Sequence, residues 1–178
     1  MGVYHILTPT YGGMKGIIVR QIKLIIDNAI VEKYFQYYFN QYPRRKKKPI
    51  LQPFPPSLNK FIAMKRMQQN DLKKKYKEFS MWLASYYKIA NLKLDKLEIT
   101  YTFYFPNHIR RDMDNLLLTP KFFNDGFVES QVMIDDSGDM LQIVFDSFRY
   151  EKDNPRVEIT IKNKKENGRV TNAKKNIS

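Results

Sequence analysis

Two aspartates two residues apart, Asp112 and Asp114, sit in the short segment Arg110-Arg111-Asp112-Met113-Asp114-Asn115, and a second acidic pair, Asp135-Asp136, follows it. The residues ahead of the first pair alternate as a strand does. If the extended backbone continues through it, both carboxylates point to one side. Two carboxylates on one face repel unless a cation lies between them. Hard divalent ions, magnesium above all, take such oxygen ligands and keep several waters. A cation beside Arg110 and Arg111 would stand where phosphates arrive. A metal bridging carboxylate and phosphodiester can activate water and stabilise the charge developing on phosphorus. From spacing alone, the pair is equally an ordinary Asp-x-Asp turn.

The acidic segment stands out because the rest of the chain is basic. Its 178 residues carry 31 Lys and Arg against 18 Asp and Glu, a formal net charge of +13. A field of that size attracts polyanions, nucleic acid being the commonest. Solubility or an acidic membrane surface would draw on the same excess. The absence of cysteine excludes disulfides, thiolate zinc sites and thiol nucleophiles. Residues 17–31 are apolar but interrupted by Arg20, Lys23 and Asp27, so no membrane partner is expected. No signal-peptide pattern stands at the amino terminus, and the expected location is intracellular, in the cytoplasm.

The elements that must position these residues follow from periodicity. With 43% hydrophobic residues, 14% of the chain being aromatic, it has enough apolar surface for one folded domain. Residues 17–26 read as a strand after a glycine-containing loop, and the aromatic segment 34–39 as helix. Arg44-Arg45-Lys46-Lys47-Lys48, between Pro43 and Pro49, reads as a linker, either solvated or touching phosphates. Residues 49–54 suggest a short strand, closed by a rigid Pro55-Pro56-Ser57-Leu58-Asn59-Lys60 turn. Leu72, Tyr76, Phe79, Leu83 and Tyr86 fall at helical spacing over 71–87, capped by Asn70 or Asp71, with the aromatic stripe as core. Leu97, Ile99, Tyr101, Phe103 and Phe105 alternate as a strand. Residues 116–128 suit a helix with Pro120 near its start and Gly126 near its end, which makes Asp125 a turn or cap residue. Two strands close the pattern, one around Leu141 to Phe145 and one around Val157 to Ile161, with Asp153-Asn154-Pro155 as the turn between them. The fold class is α+β, a small mixed or antiparallel sheet packed with helices. Residues 1–48 form an amino-terminal extension, 49–161 the domain, and 162–178 a basic tail with six cations and one acid.

Arg111-Asp112-Met113-Asp114-Asn115-Leu116, then Lys121, Asp125-Gly126-Phe127-Val128 and Ile134-Asp135-Asp136, together resemble the signature of the RusA family of Holliday junction resolvases, the crossover junction endodeoxyribonucleases. The turn from Pro55 to Lys60 is similar to the family's amino-terminal turn. The resemblance implies a RusA-like fold acting as a homodimer on branched DNA, the Holliday junction, through Mg2+, with Mn2+ able to substitute. It implies that Asp112, Asp114 and Asp136 bind the metal, with Asp135 as an accompanying acid. Lys121 corresponds to a catalytic lysine, where an ammonium can hold a phosphate oxygen. Asn115 is placed to orient a carboxylate or touch DNA. Arg110, Arg111, Asn59 and Lys60 complete the expected DNA contacts, although Arg111 could equally balance the acids. Residues 117–120 lengthen the path to Lys121 relative to compact members. Cleavage of other branched DNA (flaps, forks) and DNA binding without catalysis are the competing readings.

Overall fold

The computed structural model describes residues 4–7, 18–109, 112–146 and 148–164. Strand β3 (Leu97–Phe105) turns Leu97, Ile99, Tyr101, Phe103 and Phe105 into the core, as the alternation requires. β6 (Arg156–Asn163) lies antiparallel beside it, with Ile159 opposite Tyr101 and Ile161 opposite Ile99. β2 (Ile18–Ile26) pairs antiparallel with the other edge of β6, with Leu24 opposite Ile159, and β1 (Tyr4–Leu7) pairs antiparallel with β2. On the far side of β3, β4 (Leu141–Phe145) runs parallel, and β5 (Arg149–Tyr150) pairs with the last two residues of β3. The strand order is β1-β2-β6-β3-β4, a mixed sheet.

One face of this sheet is apolar and is covered by helices. α1 (Asn28–Gln41) starts at an Asp27 cap, whose carboxylate accepts from the Ile30 amide at 2.9 Å. α3 (Arg66–Tyr86) inserts Tyr76, Phe79 and Leu83, with Tyr34 of α1 packed 4.9 Å from the Phe79 ring. The aromatic stripe is core, except that Tyr86 is half-exposed at its end. α4 (Leu118–Glu129) packs on α3 and carries the chain from β3 back to the parallel β4, a crossover that parallel pairing demands.

Several expectations are corrected. Residues 49–54 form no strand; the buried Tyr76 hydroxyl instead donates to the carbonyls of Gln52 (3.0 Å) and Phe54 (2.8 Å). Part of the Pro55 to Lys60 turn is the start of α2 (Leu58–Ile62), capped by Ser57. α3 begins at Arg66, where the Gln68 side chain accepts from the Lys65 amide at 3.1 Å, and Asp71 pairs with Lys75 at 2.6 Å rather than capping. The two late strands do not pair with each other, because β3 lies between β4 and β6, and the Asp153-Asn154-Pro155 turn follows β5. Residues 18–41, read as part of an extension, join the sheet and core through β2 and α1. Lys162 and Asn163 belong to β6, and residues 165–178 of the expected tail lie outside the described residues.

Candidate active site

β3 ends at Phe105, and the chain beyond it leads to Asp112, whose backbone is extended (φ −91°, ψ 137°). The extended conformation does not go on past Asp112. Met113–Leu116 is a 3-10 turn that starts between the two aspartates, so Asp112 and Asp114 do not share a strand face as expected. Asp112 stands at the cap position, yet its side chain makes no capping bond, and both carboxylates are exposed. Leu116, buried, anchors the turn in the core.

α4 follows directly. Its inner side is sequence-specific: Phe122, Phe123 and Phe127 are fully buried, and the Ser80 hydroxyl donates to the Phe123 carbonyl at 2.7 Å. Gly126 lies near the end of the helix, as expected, and α3 passes too close there for any side chain. A Cβ there would meet the Ser80 Cβ at 2.4 Å and the Lys77 carbonyl at 2.8 Å. Asn124 is buried and accepts from the Tyr101 hydroxyl at 2.8 Å. The outer side carries Lys121, exposed, and one helical turn later Asp125, half-buried.

Asp125 is therefore neither a turn nor a cap residue. Burial pushes its carboxyl above the ordinary aspartate range, and the negative charge of Asp136 acts in the same direction, while Lys121, Lys77 and Lys73 oppose it. That set places Asp136 and Lys121 in one electrostatic neighbourhood with Asp125. Asp136 itself is exposed, and its amide donates to the Asp135 carboxylate at 2.8 Å. The sequence held a signal for this grouping, the four-residue step from Lys121 to Asp125.

Asp112 is the cap residue of the 3-10 turn and Asn115 lies within it. With Lys60 of α2 they line a cleft of about 530 Å³ at the C-terminal end of β3, where Asn28 and Gln52 also contribute. Asn59 is exposed on α2 and does not line this cleft. The acids thus fall into two groups, Asp112 with Asp114 after β3, and Asp135 with Asp136 ahead of β4. The register of those parallel strands sets Leu97 against Leu141, so the two groups leave opposite ends of β3. Among the described residues, no three acids or histidines stand close enough to cage a metal. The donors nevertheless suit magnesium, which takes one or two exposed carboxylates and fills its remaining positions with water and phosphate oxygens. Arg110 and Arg111 lie outside the described residues. His108 stacks on Tyr150 of β5 with ring centroids 3.8 Å apart.

A mixed α+β body that presents exposed carboxylates, a lysine and side-chain amides around the ends of its central strand has the equipment of a phosphodiester-acting protein. The family model for Endodeoxyribonuclease RusA matches residues 52–162, and the chain belongs to the RusA family of endodeoxyribonucleases. At the level of that family, the activity is endonucleolytic cleavage of DNA at Holliday junctions. No individual curated protein matches the chain. No helix among the described residues is long and apolar enough to cross a membrane.

Proposed function

We propose that this protein is a magnesium-dependent, structure-selective endonuclease that resolves four-way DNA junctions by paired, symmetric nicks in recombination and repair inside the cell. The observation that carries the reading is the RusA match across the segment that holds Asp112, Asp114, Lys121 and Asp136, in a chain of net charge +13. Asp112, Asp114 and Asp136 would hold the ion, with Asp135 beside them; manganese is expected to substitute. Bound there, magnesium supplies a more acidic water and neutralisation of the scissile phosphate. The chain's own groups do the rest. Lys121 meets the negative charge that grows on phosphorus, and Asn115 orients a carboxylate. Lys60, Asn59, Arg110 and Arg111 hold the DNA backbone.

A homodimer suits this chemistry twice over. A two-fold axis sets two sites on opposite strands of the junction. The separation of the acids within one chain is also what a dimer can close, with Asp112 and Asp114 of one protomer facing the partner's Asp136. The test is a panel of four-way junctions, flaps, forks and linear duplexes with magnesium, manganese or chelator. Preferential, metal-dependent cutting of the four-way junction is expected. Preference for flaps or forks would move the substrate, and junction binding without cutting under every metal would leave a DNA-binding protein that has lost catalysis.

A further inference from the structure

We propose that the cleft at the C-terminal end of β3 receives one unpaired nucleobase from the branch point of a DNA junction. The proposal rests on the nuclease reading above and adds a base-binding subsite to it.

The walls of the cleft come from separate parts of the chain. Phe54 and Phe105 form one side, Pro155 comes from the turn before β6, and Asn28 opens α1, outside the residues that match the family. Its lining is mostly uncharged among the described residues. Among the described residues that line it, Lys60 and Asp112 carry charge, and the amides of Asn28, Gln52 and Asn115 supply donors and acceptors. A base offers a flat apolar face together with polar edges, which suits walls of Phe and Pro interrupted by amides. Amide side chains match such edges because each presents a donor and an acceptor side by side. At about 530 Å³ the cleft falls within the range of pockets that enclose small ligands.

The site is also built in advance. Phe54 packs edge-on against Phe103 and Phe105, with centroids 6.1 and 5.7 Å away. The Tyr76 hydroxyl holds the backbone on both sides of Pro53 through the Gln52 and Phe54 carbonyls. The Gln52 amide nitrogen donates to the Pro55 carbonyl at 3.5 Å, a long hydrogen bond that a ligand acceptor can replace at little cost. A rigid pocket costs little ordering on binding. Asp112 and Lys60 on its lining put the base next to the backbone that the nuclease must cut. In a perfect duplex no base is available; at a branch point one can be unstacked cheaply.

The experiment uses the whole protein with calcium in place of magnesium and a junction carrying 2-aminopurine at each branch-point position in turn. Binding should change the fluorescence at one branch-point position and leave an analogue placed within an arm unaffected. An abasic nucleotide at the responding position should weaken binding about tenfold, the scale of losing one stacked base. The Asn28→Ala/Gln52→Ala protein should lose that discrimination while keeping its preference for junctions over linear duplex. A protein that prefers junctions but binds intact and abasic forms equally would overturn the subsite alone, as would parental discrimination in the double variant. A parent protein with no preference for junctions would overturn the nuclease reading and the subsite together.

Discussion

On the inner side of α4, Phe122, Phe123 and Phe127 are sealed from water, Gly126 admits α3 to backbone contact, and Asn124 is paired with Tyr101. On the outer side, two turns of the same helix carry an exposed lysine and a half-buried aspartate whose charge is disfavoured by burial and by Asp136. The inner side is close-packed and tolerates no added atom. The outer side concentrates charge at a cost to the folded state. The difference shows a division of labour, in which packing holds a rigid mount and the mount carries groups that stability alone would not select. Substitutions on the two sides should therefore differ, Lys121 on the outer side altering rate and Gly126 on the inner side altering stability.

The largest effect should come from Asp112→Asn or Asp136→Asn. Either variant should cut no junction detectably while binding it as well as the parent or more tightly, since negative charge has been removed beside phosphates. Mixing the two inactive proteins adds a sharper readout. If acids from two protomers meet at one ion, heterodimers regain one intact site and measurable cutting, whereas sites confined to single protomers stay silent. Lys121→Ala should follow, with single-turnover cleavage about two to three orders of magnitude slower, as when one electrostatic stabiliser is lost, and junction affinity nearly unchanged. Parental cutting by that variant would pass the role to another cation.

On the inner side, Gly126→Ala should destabilise the fold by about 1–3 kcal/mol, the usual result of overpacking, read by denaturant unfolding. An unchanged midpoint would mean that the Ser80 contact relaxes freely. The smallest effect belongs to Asp125→Asn. The folded-state pKa of Asp125 is raised, so the folded protein holds its proton more tightly than the unfolded chain. Stability from this group is present below the ordinary aspartate pKa and is lost as pH rises through the raised one. The asparagine variant escapes that loss, and its Tm at neutral pH should sit slightly above the parent's. A lower Tm would show that the contacts to Lys121, Lys77 and Lys73 outweigh burial.

Much of the fold was legible because period and turn chemistry declare themselves over long segments. β3 has nine alternating residues, and α3 repeats its aromatic stripe over several turns. β1 and β5 are four and two residues long and offer no period to read. The missing strand at 49–54 shows tertiary structure overriding local composition, since the segment is fixed by the Tyr76 hydroxyl, more than twenty residues away in sequence. For the site, residue types were legible and geometry was not. The Asp112 and Asp114 pair was visible as chemistry, but the 3-10 turn that separates their directions depends on Leu116 reaching the core. Asp125 is not a turn or cap residue, because the glycine beside it is demanded by packing rather than by a helix end, which only the approach of α3 reveals.

The most direct test of the account is single-turnover cleavage of a four-way junction by saturating protein as magnesium is titrated from zero in chelated buffer. The account predicts no cutting without the ion, a saturable rise in rate with it, paired nicks on opposing strands, and no rise for Asp112→Asn at any magnesium concentration. Cutting at full rate in chelator, or an Asp112→Asn protein that follows the parental curve, would contradict it.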